Sequence, residues 1–234
     1  MRNRRVIKKQ NKGFTLVELI VVLVILAILA AVLIPALLGY IDSARQKQYL
    51  INAKACLTAA QAEFTAAYAK QGDVKVGDPV IPDARVESTS GNEDQDITNT
   101  DFAKRVLALV DMTGDKAPYC FMVAVGSNAE KGSAGNYTVT VHDKYTVYYA
   151  FYMEKKDSSP CYYYNGSWTQ RNPRALKEGT STVDSATEIF DGYNVVKSGD
   201  LKGKRLQYYL ISNKTSYSNS VLDGSFWSWL KNMR

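Results

Sequence analysis

The hydrophobic and polar positions divide this chain into segments of different period. From Leu19 to Ile34 only Leu, Ile, Val and Ala occur; Pro35 interrupts the run, and Ala36, Leu37 and Leu38 complete it. Twenty such residues at about 1.5 Å rise per residue reach roughly 30 Å, the thickness of a bilayer's hydrocarbon core. The pattern predicts a membrane-spanning helix over 14–38. Leu50, Ala53, Leu57, Ala60, Phe64 and Ala67 then recur at spacings of three and four, with Lys47, Lys54, Gln61 and Lys70 off that stripe. No Gly or Pro lies between Tyr40 and Gln71. The reading is one helix that continues from the span through 39–71 and stops at Gly72. Its stripe suits packing under the chain's own sheet, with a seam for a partner as the alternative.

Periodicity is lost over 72–100, where Gly72, Gly77, Pro79, Pro82, Ser88, Ser90 and Gly91 predict a long connecting loop. A short helix follows over Asp101–Met112, capped by Thr100, with Phe102, Val106, Leu109 and Val110 as its buried side and Gly114 as its stop. The next part alternates with period two. Tyr119–Val125 is an apolar strand, and Tyr137, Val139 and Val141 alternate with Thr138, Thr140 and His142 as a half-buried one. In the returning strand Tyr145, Val147, Tyr149, Phe151 and Met153 face one way and Thr146, Tyr148, Ala150, Tyr152 and Glu154 the other. Cys161–Tyr164, Asn165-Gly166 and Ser167–Gln170 give a hairpin, and Gln207–Ser212 a further strand. Thr182–Phe190 and Ser225–Leu230 are short helix candidates. These elements predict an α+β fold in which a twisted antiparallel sheet lies across the amphipathic helix, within a head spanning 101–234.

Charge refines the topology. The chain has 29 Lys+Arg against 23 Asp+Glu, for a net +6. Arg2, Arg4, Arg5, Lys8, Lys9 and Lys12 all fall in residues 1–13, which hold no acid; taking these six from 29 leaves 23 basic and 23 acidic residues in the remainder. The basic excess therefore reports orientation, not a nucleic-acid partner: cations before the span hold the N-terminus in the cytoplasm and send the head out. An ordinary secretory signal has a short apolar core followed by a small-residue cleavage site. Here the cut is expected before the apolar stretch, so the helix stays in the product.

A basic leader, Gly13, then Phe14-Thr15-Leu16-Val17-Glu18 and a long apolar helix resemble the processing signal of type IV prepilins and related pseudopilins. The resemblance implies cleavage between Gly13 and Phe14 by a prepilin peptidase, with residues 1–13 as the removed leader. It further implies N-methylation of Phe14, an assembly role for Glu18, and a helix-distorting role for Pro35. The fold it implies is pilin-like. The partners it implies are copies of the chain itself and other pilins, the peptidase, an assembly ATPase and a membrane platform protein. The product is expected in the cytoplasmic membrane before assembly and in an extracellular filament afterwards. A minor or tip pilin, an adhesin, and a secretion or competence pseudopilin are the alternatives within the family. A non-polymerising membrane-anchored binding domain is the alternative outside it.

Candidate chemistry adds little to this. His142 is the single histidine and has no identifiable partner for base catalysis, and there is no zinc spacing, phosphate loop or nucleophile motif; no enzyme activity and no cofactor are expected. Asn92, Glu93, Asp94 and Asp96 hint at a calcium loop, but the glycine and distal glutamate of the twelve-residue pattern are missing, so a solvated acidic loop is the better reading. Tyr148, Tyr152, Tyr162 and Tyr163 read either as a sticky outer face or simply as good strand residues. Lys202, Lys204 and Arg205 beside Tyr208 and Tyr209 read as a solvated turn, with nucleic-acid contact as the alternative. Asn136, Asn165 and Asn213 fit a glycan acceptor pattern that has little meaning in a bacterial product. Of the three cysteines, Cys120 and Cys161 each open a predicted strand after a proline region and are the expected disulfide, leaving Cys56 a buried thiol; three reduced cysteines are the alternative.

Overall fold

Helix α1 runs over Leu16–Gln71, as the residue pattern predicts. The computed structural model describes residues 13–75, 80–81, 85–86, 100–126, 140–164, 166–172, 206–215, 229–230 and 233. Helices α2 (Asp101–Leu109) and α3 (Val141–Tyr145) accompany strands β1 (Arg85–Val86), β2 (Cys120–Gly126), β3 (Val147–Met153), β4 (Cys161–Tyr164), β5 (Ser167–Thr169) and β6 (Leu206–Asn213). The strands form one antiparallel sheet in the order β1-β6-β2-β3-β4-β5. This is the predicted α+β, pilin-like arrangement of a long N-terminal helix and an antiparallel sheet. Residues 1–47 and 48–234 form two compact units, and α1 contributes to both.

Within the second unit Ala53, Ala60 and Phe64 of the predicted α1 stripe are fully buried and Leu50, Leu57 and Ala67 partly so, with Cys56 and Ala59 beside them buried as well. Phe64 sits at the centre of an aromatic trio, 5.2 Å from Phe102 of α2 and 5.1 Å from Tyr209 of β6, with those two rings 5.8 Å apart. Polar side chains fix how the helix meets the sheet. Gln61 donates to the Tyr145 carbonyl at 2.7 Å and accepts from the Val147 amide at 2.8 Å, while Asn52 donates to Glu154 at 3.0 Å. At the helix exit Gly72 takes φ +67°, the Tyr145 hydroxyl donates to its carbonyl at 2.8 Å, and the buried Lys144 pairs with Asp73 at 2.9 Å. Together these hold the end of α1 against α3.

The sheet is buried on both faces. One face carries Phe121, Val123, Ala150, Tyr152, Tyr209 and Ile211 toward α1 and α2, and the other carries Met122, Ala124, Tyr149, Phe151, Tyr162 and Leu210. That is why β2 and β6 read as nearly continuous apolar runs. It also decides the tyrosine question: Tyr152 and Tyr162 are buried on opposite faces, and Tyr148 and Tyr163 are half-buried, so the four make no common outer surface. Tyr208 and Tyr209 are buried too, and so cannot stack on nucleic acid.

Several expectations need correction. Thr140, Val141 and His142 do not continue a strand. Thr140 caps α3: its hydroxyl accepts from the Asp143 amide at 3.2 Å and its amide donates to the Asp143 carboxylate at 2.9 Å. That reciprocal box captures backbone groups a strand would have used. The buried Asp143 also accepts from the Tyr148 hydroxyl at 2.7 Å, and a Cβ on Gly126 would meet Asp143 backbone and side chain at 2.8 Å, so β2 must end in glycine there. His142 is exposed on α3. A register shift between Ala124 and Val125 pairs these with Tyr149 and Val147, skipping Tyr148. The shift turns Val147 to the helix side, out of phase with Tyr149 and Phe151.

Helix α2 keeps its Thr100 cap, whose hydroxyl accepts from the Ala103 amide at 3.2 Å, but it ends at Leu109 because Asp111 adopts φ +53°. Phe102 and Val106 of the predicted face are buried, together with Ala103 and Leu107, and Val110 is half-buried, but Leu109 is 60% exposed, contrary to expectation. The stretch 72–100 is more than a loop, since it contains β1 and the buried Val80 and Ile81. Asn92–Asp96, Asn136–Val139, Thr182–Phe190 and Lys202–Arg205 lie outside the described residues, as does most of Ser225–Leu230.

The expected Cys120–Cys161 disulfide is not formed; all three cysteines are buried free thiols. Cys120 pairs with Met153 and Cys161 with Tyr152, so β3 separates them and they lie on opposite faces of the sheet. Two strand spacings are about 9.6 Å, beyond the roughly 7 Å that a disulfide spans. Burial pushes the Cys56 thiol up to about 12 from an ordinary 9.0, with the Glu154 charge adding to it, and burial also raises Cys120 and Cys161. A folded-state value above the unfolded one means that the native state holds the extra proton. Its stabilisation is complete below pH 9 and is lost as pH rises toward 12. The denaturant midpoint of the detergent-solubilised chain should therefore stay flat from pH 7 to 8.5 and fall above pH 9, by up to about 1.4 kcal/mol per pH unit from Cys56. Cys56→Ala should shallow that alkaline slope; a slope unchanged by the substitution would refute the assignment to Cys56.

Candidate processing and assembly site

The start of α1 is built by two side chains. The Thr15 amide and hydroxyl donate to the Glu18 carboxylate at 2.8 and 2.7 Å, and the Glu18 amide donates back to the Thr15 hydroxyl at 3.3 Å. This is a capping box with Thr15 before the first helical residue and Glu18 in the first turn, where a negative charge also faces the positive end of the helix. Sequence reading passed over Thr15, although the spacing Thr-x-x-Glu ahead of an apolar run is that box's signature.

Gly13 and Phe14 precede the box. A Cβ placed on Gly13 would meet nothing within 4 Å, and Phe14 is 85% exposed. The peptide bond between them is thus free of neighbours on both sides. Beyond Glu18 no residue to Leu38 is buried. Among the described residues α1 is the one helix long and apolar enough to cross a membrane. Pro35 lies inside α1, where it can donate no amide to the Ala31 carbonyl, which leaves that backbone acceptor open in the middle of the apolar run. The structure brings Glu18 to the helix threshold beside Phe14 and leaves Pro35 about 25 Å further along at 1.5 Å per residue.

Among the described residues no group of three His, Cys, Asp or Glu is placed to hold a metal. His142 lies 3.4 Å from the Tyr148 hydroxyl, and burial, followed by the Asp143 hydrogen bond, pushes that tyrosine up, away from nucleophilic use.

Residues 8–34 match the family described as the prokaryotic N-terminal methylation motif. No curated protein and no solved structure matches the chain. The matched segment contains Gly13, Phe14, the Thr15–Glu18 box and most of the apolar run, and families bearing it are structural, processed by a prepilin peptidase and anchored in the membrane through the apolar helix. The match spans 27 of the chain's 234 residues: over 8–34 the chain carries an N-terminal methylation motif of the kind that marks type IV pilin-like precursors.

Proposed function

We propose that this chain is the structural subunit of a type IV pilus or pilus-like filament, with no enzymatic activity of its own. One observation carries the reading: the methylation motif falls on a helix whose apolar half is wholly exposed, while the other half is committed to its own sheet. An exposed apolar surface of that length needs either lipid or other apolar helices around it. Cleavage between Gly13 and Phe14 frees the N-terminus of a helix that is first held in the bilayer. It is then extracted by an assembly ATPase and a platform protein, and packed beside the same helix of other copies. The heads form the outer layer.

Surface fibres purified from cells making the chain should contain it with an N-terminus at Phe14, methylated, by mass spectrometry. Gly13→Val puts a branched side chain at the cut and should leave full-length precursor in the membrane, with processed protein reduced about tenfold or more, as for loss of one transition-state contact. A start at Met1, or beyond Leu38, in the fibre protein overturns the processing site. Processed chain that never enters fibres makes it a membrane-anchored domain instead.

A further inference from the structure

Two sulfur atoms from distant parts of the chain meet at the seam between α1 and α2. The Cys56 thiol, on α1 and completely buried, donates to the Met112 thioether at 3.5 Å. Met112 lies just past α2, and its amide donates to the Leu107 carbonyl at 2.9 Å, which ties it to the end of that helix. The two helices also meet through Glu63 and Arg105, at 2.6 Å, and through the Phe64 and Phe102 rings, 5.2 Å apart. Cys56–Met112 is thus the contact at the C-terminal end of α2, about two turns of α1 from the ion pair.

The two sulfurs differ in how an oxidant finds them. Met112 is half-buried, whereas Met122 is completely buried and Met153 is 4% exposed. A thioether needs no ionisation to be oxidised, so exposure governs its rate. A thiol reacts as the thiolate, and burial, with the Glu154 charge behind it, pushes the Cys56 thiol up to about 12. Hydrogen peroxide arriving at this seam therefore meets a reactive Met112 beside an inert Cys56. The Met112 sulfur attacks one peroxide oxygen with a lone pair; the O–O bond breaks, an S=O bond forms, and the other oxygen leaves as water with both hydrogens. Sulfur is oxidised by two electrons and the peroxide is reduced by two. The product is a polar sulfoxide in place of a flexible apolar side chain, and a methionine sulfoxide reductase can return it to the thioether.

We propose that Met112 is a peroxide-oxidised modification site that governs access to Cys56: the thioether closes the end of the α1–α2 seam on the thiol, and the sulfoxide opens it. No oxygen atom fits between two sulfurs 3.5 Å apart, so the new polar group turns to water and draws the Met112 side chain off Cys56. The inference concerns the head alone and stands whether or not the chain polymerises.

The full chain in detergent, treated with dilute hydrogen peroxide and mapped by mass spectrometry, tests this. Met112 should become the sulfoxide about tenfold faster or more than Met122 and Met153, with Cys56 still a thiol. Once the peroxide is removed, maleimide should label Cys56 about tenfold faster than in untreated protein, through local opening of the seam. Cys120, which packs on the other face of the sheet, should keep its rate. Met112→Leu keeps an apolar side chain of similar size and offers no sulfur, so peroxide should no longer change the labelling of Cys56. Oxidation of Met122 or Met153 in step with Met112, oxidation of Cys56 while Met112 is intact, or unchanged Cys56 labelling once Met112 is oxidised overturns the proposal. So does an equal rise at Cys120, which marks unfolding of the whole head, or a full rise in Met112→Leu, which places the cause elsewhere. The wild-type measurements decide the matter even if the variant does not accumulate.

Discussion

Glu18→Gln is expected to be inserted and cleaved like the wild type and to lose fibre yield by about a hundredfold. Glutamine serves in a capping box as well as glutamate, so the Thr15 contacts and the start of α1 survive the change. Only the charge is removed. Glu18 is the one charged residue between Phe14 and Asp42, and an ionised carboxylate costs about 3 kcal/mol at the middle of a span, less at its edge. In the proposed filament, cutting after Gly13 would supply the compensation, a cationic amine on Phe14. One subunit's amine would then meet the next subunit's Glu18, neutralising both and setting the axial stagger. Deleting one member strands the other in an apolar core, at about 3–5 kcal/mol per added subunit. Fibre yield beside the membrane pool of processed protein is the measurement. Wild-type yield from processed Glu18→Gln protein would sink the pairing and leave Glu18 as a helix cap alone.

Phe64→Ala should destabilise the head by about 3–5 kcal/mol, the cost of removing a buried aromatic ring and leaving a cavity. Phe64 is fully buried and touches α2 and β6 at once through Phe102 and Tyr209, so the change loosens three elements together. Against a total stability of roughly 5–15 kcal/mol, that is a fifth or more of what holds the head folded. Leu109→Ala, at an exposed position of α2, should by contrast shift stability by no more than about 0.5 kcal/mol. Denaturant unfolding of both variants decides the matter; a loss under about 1 kcal/mol at Phe64 would remove it from the centre of the core.

Long, strongly periodic stretches were legible from residue order. The apolar run, the stripe from Ala53 to Phe64 and the β4–β5 hairpin each obey one local rule, and each is found where that rule puts it. Local rules failed where tertiary contacts override them. Thr140, Val141 and His142 continue the alternation expected from Tyr137, but the Thr140–Asp143 box and the close approach to Gly126 put them at a helical turn. The face of a cysteine cannot be read without register, and register was changed by the irregularities in β2, so pairing Cys120 with Cys161 by sequence position misplaced one of them. At the candidate processing site Gly13, Glu18 and the apolar length were legible because each follows a local rule, while the Thr15 half of the capping pair was passed over. The contact of Met112 with Cys56 obeys no local rule, since the two lie 56 residues apart.

The taper of the sheet has a consequence for life in a crowd. Its central strands hold seven or eight residues, while the edge strand β5 holds three. An edge of three residues offers a foreign strand one or two backbone hydrogen bonds, too few to template further pairing. In the proposed fibre, subunits held side by side would meet at concentrations where long open edges fuse into amyloid-like ribbons. By ending so abruptly at β5, the sheet would leave joining to the helix on that side, and would keep one kind of polymer from turning into another.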